Sequence, residues 1–281
     1  MDFEIFGRVT IGVLNFDKYA VIVDSGIDEN DIRKVINNVT KNGKDIFALL
    51  ITHAHSDHSG GAYFASKRGI KVYSSKLEAD LIMNPSLLNV IISGFYNGQI
   101  SESKFVTPNY VKVNYLEQTF KVGDEIIEVI DLKGHSLGQV GFKAKDVLFA
   151  GDSLFSIDIL EKHPIPYVLN VPDFIKTLDM LYNFSGKIVI SHGGLIEDNK
   201  KVISYNKKRI EEMIELFKDF SASGIEINVL IKRMLNHYNS GGNMLNYFLD
   251  TTAIKSIIFS YGKVEYKDGD LIIMPVTTEN I

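Results

Sequence analysis

The sequence predicts an α/β (α+β) fold in which two sheets pack face to face with helices outside, followed by a small C-terminal helical module. Three observations carry this prediction. Strand-like and helix-like segments alternate through residue 190, the chain opens on short apolar runs that read as antiparallel strands, and two runs of strands are separated by helices. Residues 3–6, 9–14 and 19–23 are the opening strands, each bounded by turn-formers or charge. Asp28 then caps a helix that carries Ile32, Val35, Ile36 and Val39 on one face and ends at Asn42-Gly43. A buried strand over 46–51 follows, and further strands are predicted over 71–73, 120–122, 125–132, 139–144 and 147–150. A helix over 172–182 and a strand over 187–190 complete the alternation.

After residue 199 the periodicity becomes helical. Residues 203–220 place Ile210, Met213, Ile214 and Phe217 on one stripe, 225–237 continue it, Ser240-Gly241-Gly242 interrupts, and a third helix covers 245–260. Residues 262–266 and 271–274 form a hairpin around Lys267-Asp268-Gly269-Asp270. Three helices and a hairpin resemble a winged-helix module. The division expected is therefore a core domain over 1–199 and the module over 200–281, packed together because no low-complexity linker separates them.

Composition narrows the function. With 45% hydrophobic and 23% charged residues, the chain is an ordinary globular protein, neither disordered nor fibrous. It has no cysteine, which removes disulfides, thiolate zinc sites, iron–sulfur ligation and cysteine nucleophiles together. Any metal must use nitrogen and oxygen ligands. A net charge of −5 gives no general attraction to nucleic acid or anionic lipid. The opening MDFEIFGRVT lacks the basic start and apolar run of a signal peptide, and no stretch reaches the ~18 apolar residues of a membrane span, so a cytoplasmic protein without a membrane partner is expected.

The chemistry concentrates in one place. Three of the seven histidines fall within His53-Ala54-His55-Ser56-Asp57-His58, directly after the buried strand over 46–51. A loop at a strand end can bring several imidazoles and a carboxylate to one point, and neutral imidazole and carboxylate are ligands for zinc, iron or manganese. Two more histidines sit at strand ends, in Gly134-His135-Ser136 and Ser191-His192-Gly193, and Gly151-Asp152-Ser153 places a carboxylate after another strand. Each alone reads as a turn residue; their repetition after strands reads as a ligand set. His53, His55, Asp57, His58, His135, Asp152 and His192 are more than one ion normally takes and enough for two.

The run Thr52-His53-Ala54-His55-Ser56-Asp57-His58-Ser59-Gly60-Gly61 resembles the signature of the metallo-β-lactamase superfamily. Gly134-His135-Ser136-Leu137-Gly138, Ala150-Gly151-Asp152-Ser153-Leu154-Phe155, Ser191-His192-Gly193 and the early Val23-Asp24-Ser25-Gly26 resemble its other motifs, in order, across about residues 1–199. The resemblance implies a four-layer αββα sandwich as catalytic domain, with a binuclear site at one edge. His53, His55 and His135 would hold one metal, Asp57, His58 and His192 the other, Asp152 would bridge them, and Asp24 would support the ligand loops. Zinc is the first expectation, with iron and manganese as alternatives.

Departures from known branches narrow the resemblance. His55 stands where flavodiiron proteins have Glu, no cysteine lies near the bridging position as in zinc β-lactamases, and Gly193-Gly194 follows the last histidine where glyoxalase II proteins have Glu-Tyr. Phe155 stands where acyl-homoserine lactonases place a tyrosine. The likeness to glyoxalase II is to its metal site. The implied activity is a binuclear metallohydrolase acting on an ester, thioester, lactone or phosphodiester of a small molecule, with a metal-bridging hydroxide as nucleophile and Asp57 orienting it. Phe155, His163 and Tyr167, together with Phe95 and Tyr96 from the apolar 83–110 segment, are candidate pocket residues, and His163 is a candidate proton donor.

Two rival readings follow from the same residues. One is an iron-dependent oxidoreductase of the dioxygenase kind on this fold. The other is a nucleic-acid-binding protein or nuclease acting through the C-terminal module, but residues 251–261 offer Lys255 alone as a basic side chain and no Arg, Asn or Gln to read base edges. The module is expected instead to brace the active-site edge or to form a homodimer contact.

Overall fold

The computed structural model describes residues 2–94 and 108–276. The first sheet is built from β1 (Asp2–Phe6), β2 (Ile11–Asn15), β3 (Tyr19–Val23), β4 (Asp45–Leu50), β5 (Val72–Ser74) and β6 (Asn114–Tyr115), in that spatial order. Its first three strands are antiparallel; from β3 to β6 they are parallel. Parallel neighbours need crossovers, and these carry α1 (Glu29–Lys41), α2 (Ser56–Ser59), α3 (Ala62–Lys67), α4 (Lys76–Met83) and α5 (Pro85–Ser93). The Asp28 side chain accepts from Asn30 N at 2.9 Å to start α1, and Ile32, Val35, Ile36 and Val39 form its buried face, as the sequence predicts.

The second sheet runs β12-β11-β10-β9-β8-β7. Its strands are β7 (Thr119–Val122), β8 (Glu125–Asp131), β9 (Val140–Ala144), β10 (Val147–Phe149), β11 (Lys187–Ile190) and β12 (Gly194–Leu195), with α6 (Ile157–Lys162) and α7 (Val171–Tyr182) crossing between β10 and β11. Side-chain alternation explains how the sheets stack. On β3, Val21 and Val23 join a core shared with Phe142, Val147 and Phe149 of the second sheet, while Ala20 and Ile22 join a core with α1. On β11 the same alternation sends Val189 inward and Ile188 and Ile190 toward the outer helices. The result is four layers, helix, sheet, sheet and helix. Gly12 marks how closely the sheets approach, since a Cβ there would lie 2.1 Å from the Phe149 ring.

Beyond residue 198 the chain forms α8 (Asn199–Ser221), β13 (Ile225–Glu226), α9 (Ile227–His237), α10 (Met244–Tyr261), β14 (Gly262–Lys267) and β15 (Asp270–Pro275). The hairpin forms as expected, with Asp268 and Gly269 both at positive φ, the geometry of a two-residue turn that follows strand twist. One boundary differs from the sequence reading. Ile225 and Glu226 do not continue a helix; they pair with β15, and Glu226 accepts from Asn228 N and Val229 N to begin α9 afterwards.

The apolar core is continuous across residue 199. Ile210, Met213, Phe217, Leu230, Ile254 and Ile258 lie in one cluster with Leu148, Phe174 and Ile188 of the second sheet and its helix. α10 goes further, because its Leu245, Phe248 and Leu249 pack on the outer core of the first sheet. A helix gripped on two sides must be apolar around most of its circumference, and α10 is. No helix among the described residues is long and apolar enough to cross a membrane. Phe217 is fully buried in this shared core. Phe217→Ala is expected to destabilise the whole protein by about 3–5 kcal/mol, read as one cooperative shift in a urea denaturation curve; two separate transitions would show instead that the C-terminal segment melts on its own.

Candidate metal centre

Five loops at strand ends build the site. The first begins at β3, where Asp24 takes a left-handed backbone conformation at φ 61° while its N–H still donates to Leu50 O at 2.8 Å. That turn aims its carboxylate across the end of β4. It accepts from Thr52 N at 2.8 Å, from the Thr52 hydroxyl at 2.9 Å and from His58 Nδ1 at 2.9 Å. With its proton given to Asp24, the Thr52 oxygen accepts from His53 Nδ1 at 3.1 Å. On the other side, His135 Nδ1 donates to the Tyr167 carbonyl at 2.9 Å.

Three imidazoles thus have their outer nitrogen occupied and present the inner one to a common space. His53 Nε2 and His135 Nε2 each lie 2.9 Å from His55 Nδ1. Asp152 Oδ2 stands 3.5 Å from His58 Nε2, 3.6 Å from His135 Nε2 and 3.3 Å from His192 Nε2. His192 Nε2 is also 3.3 Å from Asp57 Oδ2. Three overlapping groups, His53/His55/His135, His53/His58/Asp152 and Asp57/His58/His192, each keep their donor atoms within 4.8 Å of one another, close enough to share an ion. All seven residues that the sequence nominates come together, and Asp24 touches the loop as expected.

The donor set fits a divalent cation. His58 Nε2 and Asp152 Oδ1 are buried without a hydrogen-bond partner among the described residues, and such orphaned atoms are costly unless a ligand uses them. The charges divide the cluster in two. Burial, reinforced by neighbouring imidazoles, holds His53 and His135 below the usual histidine range and His55 at about 3, which favours the neutral imidazole that a metal would take. Across the site, Asp152 raises His192 to about 10. Burial acts against charge on His58, yet Asp57, Asp152 and Asp24 outweigh it and push it up. Burial likewise opposes ionisation of Asp57 and Asp152, but the facing His58 and His192 bring Asp57 to about 2 and Asp152 well below its ordinary value. The two carboxylates thus favour positive charge in this half of the cluster, which a bound cation would supply.

The candidate pocket residues fall in three places. Phe155 and Tyr167 are buried against the centre, with the Phe155 ring 5.8 Å from that of His135 and the Tyr167 ring 5.3 Å from those of both His55 and His135. The Tyr167 hydroxyl is buried and has no hydrogen-bond partner among the described residues. His163 is exposed at the end of α6, on the side of Asp250 of α10. Phe95 and Tyr96 lie outside the described residues.

The sequence reading missed two supports. Asn206 of α8 is buried; its Oδ1 accepts from Phe155 N at 2.9 Å and its Nδ2 donates to Phe155 O at 2.7 Å. Its signal was a polar residue on the apolar stripe between Ile203 and Ile210. Glu78 of α4 is the other, buried between two histidine loops. Ser75-Lys76-Leu77-Glu78 reads locally as a capping box, which hides this longer reach. Replacing Asp24 with Asn removes one acceptor from the Thr52 and His58 pair while keeping a residue type that tolerates positive φ. Asp24→Asn is expected to weaken metal binding about 10- to 100-fold, measured by competition with a chromogenic chelator; unchanged affinity would show that His58 is held by other contacts.

Comparison with known proteins agrees with this geometry. The hydroxyacylglutathione hydrolase of Shewanella pealeana is 31% identical over 133 residues, which are 46% of this chain and 41% of that protein. Hydroxyacylglutathione hydrolase 1 of Vibrio vulnificus is 27% identical over 215 residues, 73% of this chain and 71% of that protein. The chain thus matches less than half the length of the Shewanella relative. Among solved structures, a metallo-beta-lactamase family protein from Thermus thermophilus superposes with a TM-score of 0.71 at 18% identity, over 95% of this chain and 94% of that one. Residues 5–192, well over half of the sequence and spanning each of the four ligand loops, match the family profile described as Metallo-beta-lactamase superfamily, and the chain belongs to that superfamily.

Proposed function

We propose that the protein is a binuclear metal-dependent hydrolase of small acyl substrates. The observation that carries the proposal is the position of Asp152. Its Oδ2 lies within 3.6 Å of one imidazole from the His53/His55/His135 group and two from the Asp57/His58/His192 set, as a bridging carboxylate would. His53, His55 and His135 would hold one ion and Asp57, His58 and His192 the second, with zinc favoured by the nitrogen-rich donor set and iron or manganese as alternatives. Bound divalent ions supply a Lewis acid for the substrate's carbonyl or phosphoryl oxygen and bring the pKa of bound water toward ~7.

The protein's own residues supply position and proton handling. Asp57 is the more open carboxylate, its side chain 30% exposed against 5% for Asp152, so it is the one placed to accept a hydrogen bond from an attacking water. Phe155 and Tyr167 make an apolar wall beside His135, and the unpartnered Tyr167 hydroxyl is a donor for a substrate oxygen. Likeness to hydroxyacylglutathione hydrolases favours thioesters over lactones and phosphodiesters. The glutathione part is not carried over, because Gly193-Gly194 replaces the Glu-Tyr that follows the last histidine in those enzymes.

Elemental analysis with a panel of aryl ester, acyl thioester, lactone and phosphodiester substrates tests this reading. Two ions per chain, hydrolysis abolished by chelation and restored by zinc or manganese, and strongest turnover on thioesters are expected. Asp152→Ala is expected to lose metal at both positions and to lower kcat/KM by more than the ~100-fold typical of losing an outer hydrogen-bond partner. One iron per chain with oxygen consumption would replace the hydrolase reading with the oxidoreductase one. A covalent acyl adduct on a serine or lysine during turnover would exclude direct attack by water.

A further inference from the structure

We infer that Glu78 is a positioning residue for the three-histidine half of the centre, clamping the His53–His55 loop of one sheet to the His135 loop of the other. The inference rests on the metal-binding reading above. Glu78 is fully buried in the first turn of α4, and its carboxylate accepts three hydrogen bonds. Oε2 accepts from Ala54 N at 2.8 Å, the amide between His53 and His55. Oε1 accepts from Ser136 Oγ and from Gly138 N, both at 2.7 Å, on the segment that follows His135. No ligand nitrogen is among these partners, so Glu78 acts on the histidines through their backbone.

The surroundings make this contact rigid. Ser75 Oγ, at the start of α4, donates to Gly138 O at 2.6 Å, and a Cβ at Gly138 would lie 2.8 Å from Leu77 Cβ. The helix is therefore seated directly on the His135 loop, and glycine is what lets it sit there. Two histidine loops reach Glu78 from opposite sheets, and between them His55 Nδ1 is held 2.9 Å from both His53 Nε2 and His135 Nε2. A buried carboxylate is costly, and three short bonds from donors are what offset it. Burial pushes its carboxyl up, with the bonds from Ser136, Ala54 and Gly138 acting the other way.

The chemistry of the clamp requires acceptors on both arms. An amide has one oxygen, so Glu78→Gln must turn its NH2 either toward Ala54 N–H or toward the Ser136 and Gly138 donors. Turned to Ala54 the NH2 faces an N–H and that tie is lost; turned to the His135 loop it faces the Gly138 N–H, where only the Ser136 hydroxyl can reverse and accept, so one obligate donor loses its acceptor while the volume is kept. Asp24 holds His58 directly and reaches His53 only through the Thr52 hydroxyl, whereas Glu78 ties the His53–His55 loop to the His135 loop.

Zinc and cobalt titrations of the metal-free full-length protein test the assignment, with cobalt absorption reporting ligand geometry. Wild type is expected to take two ions. In Glu78→Gln, the ion that His55→Ala loses is expected to bind about 10- to 100-fold more weakly with an altered cobalt spectrum, while the ion that His192→Ala loses keeps its affinity. Unchanged affinities and spectrum with only a lower melting temperature would overturn the inference and leave Glu78 a stability residue. Equal weakening of both ions would overturn its selectivity. If Glu78→Gln fails to fold, Ser136→Ala decides, since it removes one donor and leaves the carboxylate paired with two: weakening of the same ion is expected, and no change overturns the inference. A wild-type protein that binds no zinc or cobalt would instead sink the metal-binding reading itself.

Discussion

The structure depends on holding five imidazoles and two carboxylates close together in a space largely closed to water. Left to themselves these groups would separate, because their lone pairs face one another and burial strips their hydration. They stay because each loop is tied from behind. Asp24 ties Thr52 and His58, the Tyr167 carbonyl ties His135, and Glu78 ties the loops of both sheets. Two of these ties are themselves buried carboxylates, so the framework of the centre is as polar as the centre. Such a network is worth having only when its donors and acceptors are matched, and among these ties they are.

The two sheets exist, from this viewpoint, to deliver loop ends to one edge. The apolar strands β3 and β11 and the second half of β4 are buried on both faces and cannot slip register without losing one core or the other. Their rigidity passes to the residues just beyond their ends. Asp24 follows β3, His53 follows β4 by two residues, Asp152 lies just beyond β10, and Ser191-His192 follows β11. The ligands need no long loops of their own, and their positions are inherited from the ladders.

That inheritance is why so much of the site was legible in the sequence. The ligands are short-range features, a histidine or aspartate beside glycine just past an apolar strand, and His53 to His58 packs four of them into six residues. Of the supports, Asp24 was legible only through the family resemblance, and Glu78 and Asn206 were not legible, because they act at long range. Glu78 binds partners 24, 58 and 60 positions away, and Asn206 reaches back 51 positions to Phe155. Periodicity reports which face of a helix is buried, and says nothing of which backbone it will meet. Length explains the helices that went unread: α2, α3, α4 and α6 have four, six, eight and six residues, too few turns for a period of 3.6 to declare itself. The three C-terminal helices, being longer, were placed within a few residues of their observed ends.

Asn206 treats Phe155 as a neighbouring strand would, taking its N–H and satisfying its C=O with one planar amide. The stretch after Asp152 consequently has no independent backbone solution. Any change of α8 that removes the amide leaves two main-chain groups without partners beside the centre, and any lengthening of the segment after Asp152 pulls them out of its reach. The C-terminal helices and the aspartate loop therefore form one inheritable unit. Protein engineers who graft a foreign module onto this sandwich would need to bring a matching amide with it, or redesign the pocket wall at the same time.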